Sequence, residues 1–399
     1  MPRPVSAIAR RPLLAGIVWA ALPLLGCTGR TSTDPTTAAD GPRSAQGPVT
    51  PPVEATPSPA PAPAAEVEPA VAAAPAAPVA APITRPDPLA PLSDDQRARF
   101  LAGEADALAP TPIHYVKSNE VRHDVFFPYV EGLGGAYVGV GSDQNYTILA
   151  NARAELVFLL DIDQRVVDLH RIYGVLIAAS PTPEALHARW SAEGEAESLT
   201  LLDAAFADLP AAEQKRLRLA YRGSRETVHL HLRLVIKRQR EGAPTGWLSS
   251  PAMYDHVRAL WLAGRVRTMG GDLTGTRTLQ TIGKVAADFG APVRVVYFSN
   301  AEEYFKYTPA FIANVLALQG DERSVLLRTI YSKDWEHADQ LWAYQVQPLA
   351  DFQARLGERK NRSRNPMLKY AEQDGSLQRV TAVKGLSLLG VAAATAEGG

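Results

Sequence analysis

The stretch Gly134–Asp163, GGAYVGVGSDQNYTILANARAELVFLLDID, sets the tightest limit on how this chain can fold. Ala136–Val140 is apolar and short enough for a buried strand. Gly139 and Gly141 then make a turn, a short helix follows, and a second apolar strand, Leu156–Leu160, ends on Asp161. A Gly-x-Gly after a strand lets the backbone approach a ligand, and the next helix offers its N–H groups to polar or anionic atoms. An acid closing the following strand can accept both hydroxyls of a ribose. Gly139 and Asp161 lie 22 positions apart, near the spacing of about 20 that this unit uses. The stretch therefore reads as the ligand-binding half of an α/β domain.

The same alternation resumes later. Strands are expected at 266–271, 293–298, 324–330 and 343–347, with helices at 278–289, 309–318 and 349–356 between and after them. Six strands with helices between them predict a doubly wound, mostly parallel sheet of Rossmann type. Between the second and third strands, 180–262 breaks the alternation and reads as a mainly helical insertion, several of its helices opened by proline. Thr227–Ile236, TVHLHLRLVI, fits a strand by its strict alternation and a helix by its surroundings. Tyr115–Glu131 is expected as a helix leading into the glycine strand. Ser93 and Gln96 form a capping box that opens the domain.

Outside 93–358 the chain is expected to be extended or disordered. Of its 32 prolines, half lie between Thr28 and Pro91, in a stretch too poor in large apolar residues to offset its chain entropy. As a polyproline-II tether, residues 28–92 would reach about 200 Å. From Gly357 the pattern stops, so 359–399 is expected to be a disordered tail with a basic run at Arg359, Lys360, Arg362, Arg364 and Lys369.

The first 27 residues carry a targeting signal. Arg3, Arg10 and Arg11 precede an apolar run, Leu13–Leu25, too short to span a bilayer comfortably. Leu24-Leu25-Gly26-Cys27 resembles the lipobox of bacterial lipoproteins, in which the peptide is cut before the cysteine and the cysteine is acylated. That resemblance implies a lipid anchor on Cys27 and a place in the bacterial cell envelope, facing periplasm or exterior. Thr28, where inner-membrane retention usually has Asp, favours the outer membrane. Arg10-Arg11-Pro12-Leu13-Leu14 also resembles a twin-arginine export signal. Cys27 is the only cysteine, so the chain has neither an intrachain disulfide nor a thiolate metal site. A net charge of −1 gives no basic footprint, so no nucleic-acid partner is expected.

Ligands in open α/β sheets bind beyond the carboxyl ends of the strands. This chain puts Asp143, Gln144 and Asn145 after the first strand and Asp161 and Asp163 after the second. Asp272 and Thr274 follow the third, and Ser299, Asn300 and Glu302 the fourth; Ser118-Asn119-Glu120 lies upstream. Carboxylates and amides suit hydroxyl, amine and cationic groups, and the lack of Lys or Arg disfavours a phosphate-rich ligand. Helix capping and turn formation are the plain roles for the same residues. A hard cation on Asp161, Asp163 and Asp272 is one alternative; His229 and His231 would share a strand face and could hold a metal, but no third ligand is suggested nearby and they read as an ordinary surface or core pair.

Three motifs carry a wider resemblance: Gly134–Thr147 (GGxYxGVGxxQNxT), Gly271–Gly275 (GDxxG) and Tyr297–Tyr304 (YxSNxExY). Together they resemble an uncharacterised bacterial family with a domain of S-adenosylmethionine methyltransferase type, over roughly Ser118–Leu356. The resemblance implies that Asp161 binds the ribose of S-adenosylmethionine and that the Gly139–Gly141 backbone passes its methionyl part. The expected binding set is Gly139, Gly141, Asp143, Gln144, Asn145, Asp161, Asp272, Asn300 and Glu302. The chain departs from the methyltransferase pattern at Tyr137, where an acid is usual, and at Asp143, where a third glycine is common. Three functions fit: a methyltransferase exported with its cofactor, a lipid-anchored module that binds a small nucleoside-type molecule, and a non-catalytic envelope scaffold.

Overall fold

The structure, a computed structural model, describes residues 89–391. The expected signal peptide, lipidated Cys27 and tether up to residue 88 lie outside the described residues. Ten strands are present: β1 (Ala136–Val140), β2 (Leu156–Asp161), β3 (Gln239–Arg240), β4 (Ala243–Pro244), β5 (Val266–Gly270), β6 (Val293–Ser299), β7 (Val325–Ile330), β8 (Ala343–Pro348), β9 (Leu377–Arg379) and β10 (Leu386–Leu389). β3 and β4 form a small separate hairpin; the other eight build one sheet in the order β5-β2-β1-β6-β7-β8-β10-β9.

The five strands from β5 to β7 are all parallel. Their order reverses between β1 and β6, and this switch point is where an open α/β sheet leaves a crevice. The six strands expected from sequence are therefore in place. β8 runs antiparallel to β7. The segment between them, 331–342, holds no helix to carry a parallel crossover. Instead Asp339 ties it into a turn, accepting the backbone N–H groups of Leu341 and Trp342 and the Tyr344 hydroxyl.

Both faces of the sheet are covered. Side chains alternate along each strand, so Tyr137, Leu159, Val295, Tyr297, Leu327 and Tyr344 enter one core. Val138, Phe158, Leu160, Val296, Phe298 and Leu326 enter the other. Helices Gln144–Asn151, Gln164–Ala178 and Pro251–Leu262 pack on the first face. Helices Thr278–Asp288, Pro309–Ala317 and Leu349–Leu356 pack on the second. Each Leu, Val or Phe so buried contributes about 1.5–3 kcal/mol.

Local chemistry explains most helix starts. The Ser93–Gln96 capping box forms. Thr182, Ser250 and Thr308 each cap a helix whose first residue is proline, as the sequence suggests. Thr227–Ile236 is helical, the end of the long helix Ala211–Ile236. Neither Pro nor Asn interrupts that run, and Val228, His231, Leu232 and Val235 turn inward at helical spacing while Leu230 and Leu234 stay outside.

Two expectations are corrected. Tyr115–Glu131 is no continuous helix: the chain stays irregular to Arg122, then makes a 3-10 turn, His123–Phe126, and a single α-turn, Phe127–Val130. Its polar side chains and backbone find partners at the sheet ends rather than within a helix. The supposed disordered tail is also structured through residue 391. Helix Arg364–Gln373 buries Met367, Leu368 and Ala371, and β10 adds to β8 while β9 adds to β10. The apolar run that is too short to span a membrane supplies β10, and Arg364 of the basic run is buried against Glu303.

Because β10 covers the edge of β8, truncation after Gly357 exposes Tyr344–Val346 as an unpaired apolar edge. The truncated chain is expected to aggregate, or to melt at least 10 °C below the full chain by circular dichroism. An unchanged melt would show that the segment adds nothing to the sheet.

Candidate functional site

The glycine turn after β1 is built around side chains of its own helix. A Cβ on Gly139 would lie 1.9 Å from Asn145 Oδ1, and one on Gly141 (φ +94°) 2.4 Å from Gln144 Nε2. Both glycines are thus needed before any ligand is considered. Asn145 is fully used: its Oδ1 accepts the Tyr137 hydroxyl (2.8 Å), and its Nδ2 donates to the carbonyls of Val140 and Ser142. Gln144 accepts the Ser142 hydroxyl (3.0 Å). On the far side of the turn, His170 Nε2 lies 2.7 Å from the Gly141 carbonyl, and its Nδ1 2.9 Å from the Tyr146 hydroxyl. Burial holds His170 down to about 4, so the neutral ring donates from Nε2 to that carbonyl and accepts the hydroxyl at Nδ1.

Three carboxylates surround this turn. Asp143 stands before helix Gln144–Asn151 without capping it. Its Oδ2 meets His231 Nε2 at 2.8 Å, and the backbone of Ser118 also donates to it. Burial alone would raise its pKa, but the His231 charge and hydrogen bond outweigh burial and bring it to about 2. Asp163 caps helix Gln164–Ala178 through the Arg165 N–H (2.9 Å) and pairs with His114 Nδ1 at 2.8 Å. Asp161 is partly exposed and accepts the Asp163 N–H at 2.8 Å, with the Gly141 and Ile162 backbone also donating to it. Burial, reinforced by the nearby Asp163 charge, pushes Asp161 up to about 6 against those donors.

The other expected residues are spent elsewhere. Asp272 makes an Asx-type turn, accepting the Thr274 N–H (2.8 Å) and hydroxyl (2.7 Å). Asn300 reaches Glu303 and the Tyr304 hydroxyl. Glu302 is buried in an ion pair with Arg328 (2.8 Å), whose guanidinium stacks over Phe352, and Glu302 also accepts the Tyr307 hydroxyl. Phe352 belongs to the core on the sheet face away from Tyr137 and Asn145, so Glu302 does not join the glycine turn. His229 and His231 point apart because they sit on a helix: His231 goes to Asp143, and His229 stacks on His187 at 4.1 Å. Among the described residues no group of three or more His, Cys, Asp or Glu is placed to hold a metal ion.

One feature was only partly legible in the sequence. Residues 103–122 form a strap across the carboxyl ends of the strands, meeting them in sheet order. Asp106 accepts the N–H groups of Thr276, Arg277 and Thr278 beyond β5. Next, His114 pairs with Asp163 beyond β2, and Ser118 donates to Asp143 beyond β1. Glu120 then reaches β6 and β7, and the Arg122 N–H reaches the Tyr344 hydroxyl of β8 (3.0 Å). Glu120 is 2 % exposed. It accepts from the hydroxyls of Tyr297, Ser299 (2.5 Å) and Thr329 (2.9 Å) and lies 3.0 Å from His123 Nε2. Burial works to raise its pKa, but these partners, His123 foremost, bring it below the usual carboxylate range. Ser299 takes a left-handed conformation (φ +51°) to make this contact, a strain of about 1–3 kcal/mol.

The sequence-expected site therefore divides. Gly141, Asp161 and Asp163 converge beside Asp143 and the strap, while Asn145 and Gln144 shape the turn from within. A partly exposed carboxyl with a pKa raised to about 6 is suited to accept ribose-like hydroxyls or a proton. For such an acid the folded state holds more protons between about pH 4 and 6, so stability falls as pH rises through that window, by at most about 3 kcal/mol and by less where solvent screens the partly exposed carboxyl. Carboxyl-carbon NMR titration is expected to show one aspartate with a midpoint near pH 6 that disappears in Asp161→Asn. Uniform aspartate midpoints near pH 4 would contradict the assignment.

The model for the domain of unknown function DUF7790 matches residues 115–390, from the strap to the end of β10. No curated protein matches the chain.

Proposed function

The chain belongs to the DUF7790 family, and from that premise we propose that its α/β domain is a small-molecule binding module, lipid-anchored at a bacterial envelope membrane. The ligand is of nucleoside type and sits at the carboxyl ends of β1 and β2. The observation that carries this reading is Asp161. It is a partly exposed carboxyl at the end of β2, beside the Gly141 turn, with a pKa raised to about 6 at a cost in stability. Asp143 and Glu120, each paired with a histidine, are lowered instead. Asp143 and Asp163 line the same region, which supports a hydroxylated or cationic ligand such as S-adenosylmethionine over a phosphate-rich one.

S-adenosylmethionine, S-adenosylhomocysteine and plain nucleosides are the first probes. At about 100 times its dissociation constant a ligand stabilises the fold by about 2.7 kcal/mol, which for a domain of this size raises the melting temperature by roughly 5–10 °C. Asp161→Ala is expected to abolish the shift. A shift with S-adenosylmethionine and its demethylated product would support a methyltransferase-type site; one with nucleosides alone would support a binding module with another ligand.

The strap favours a second reading. The His114 and Glu120 side chains and the Ser118 backbone close the switch point from within the chain, as a scaffold that has lost its ligand would. Flat melting curves with every probe at millimolar concentration would support that reading over the first.

The anchor rests on Leu24-Leu25-Gly26-Cys27 and is tested separately. Radioactive palmitate is expected to label the wild-type chain and not Cys27→Ser. Labelling of neither would remove the anchor while leaving the ligand question open.

A further inference from the structure

Helix Ala211–Ile236 buries one face completely: Leu217, Ala220, Tyr221, Val228, Leu232 and Val235 all enter the core. A surface helix of this kind is expected to be polar on its other side. Here the outward side carries Leu219 (55 % exposed), Leu230 (44 %) and Leu234 (62 %). At 100° per residue these three fall within about 60° of one another, in a row about 22 Å long. Lys215, Arg233 and Lys237 flank the row, and no carboxylate among the described residues pairs with any of them. Glu226 is the one acid on the stripe.

We propose that this face is a docking surface for an anionic lipid bilayer. Apolar side chains bordered by unpaired lysine and arginine are what such an interface needs: the leucines enter the boundary between headgroups and acyl chains, and the cations remain among the lipid phosphates. Charge decides between occupants. A second copy of the same face would oppose like charges along the whole row, whereas an anionic membrane neutralises them. The inference goes beyond the proposed ligand site and does not require the anchor on Cys27, which would only hold the face near a membrane.

The test uses the full chain in a Cys27→Ser background with one reporter cysteine carrying an environment-sensitive fluorophore. At Leu234→Cys, phosphatidylglycerol vesicles are expected to shift the emission to the blue, and phosphatidylcholine vesicles to leave it unchanged. The same label at Lys284→Cys, on an exposed helix of the opposite sheet face, is expected to stay in water with both. The N-terminal segment is common to all variants and drops out of the comparison. Arg233→Ala and Lys237→Ala should each weaken vesicle binding about fivefold, and 0.5 M salt should weaken it further. No shift at Leu234→Cys, an equal shift on phosphatidylcholine, or an equal shift at Lys284→Cys would overturn the proposal.

Discussion

The architecture of the candidate site depends on one buried carboxylate. An isolated anion taken from water into a protein interior costs several kcal/mol, and Glu120 is almost fully enclosed. It persists there because hydroxyls from β6 and β7 and the His123 ring converge on it. Glu120 therefore pins residues 103–122 to the sheet, draws Ser299 into a left-handed conformation and dictates that the chain enters β1 from across the strand ends. Its hydrogen bonds leave it no proton to give near neutral pH, so its role is to position. Asp161 shifts the opposite way, up to about 6.

Two other buried charge pairs repeat the solution at the ends of other elements. Asp143 with His231 ties the long helix Ala211–Ile236 to the glycine turn. Glu302 with Arg328 joins the turn after β6 to the middle of β7 within the opposite core. In both, the acid stands where a ligand-facing residue is expected, three positions past a strand end. Strand ends are where the backbone turns and where short polar side chains find donors, so the same position serves a ligand or the fold equally well.

That ambiguity marks how far the candidate site was legible. Gly139 and Gly141 were recognisable, but as ligand-approach glycines; the space they leave is filled by Asn145 and Gln144. Asp161 stands at the end of its strand, as its apolar run predicts. Asp163 showed its capping chemistry. His231 stayed open because alternation in TVHLHLRLVI imitates a strand, and only the uninterrupted helix before it settles which face each histidine takes. Ser118 and Glu120 were visible as polar residues, yet nothing local reveals that their partners lie beyond β1 and on β6 and β7.

What the sequence determined by itself were the features that need only neighbours along the chain. These are the six core strands with their apolar runs, the proline-opened and Ser/Thr-capped helices, and the turn at Gly139–Gly141. Tertiary structure alone decided the antiparallel return of β8, the addition of β9 and β10, and the course of the strap. It also decided which acids are paired and which is left with a raised pKa. The physical reason is that burial and charge pairing depend on groups far apart in sequence, brought together only when the sheet closes its two cores.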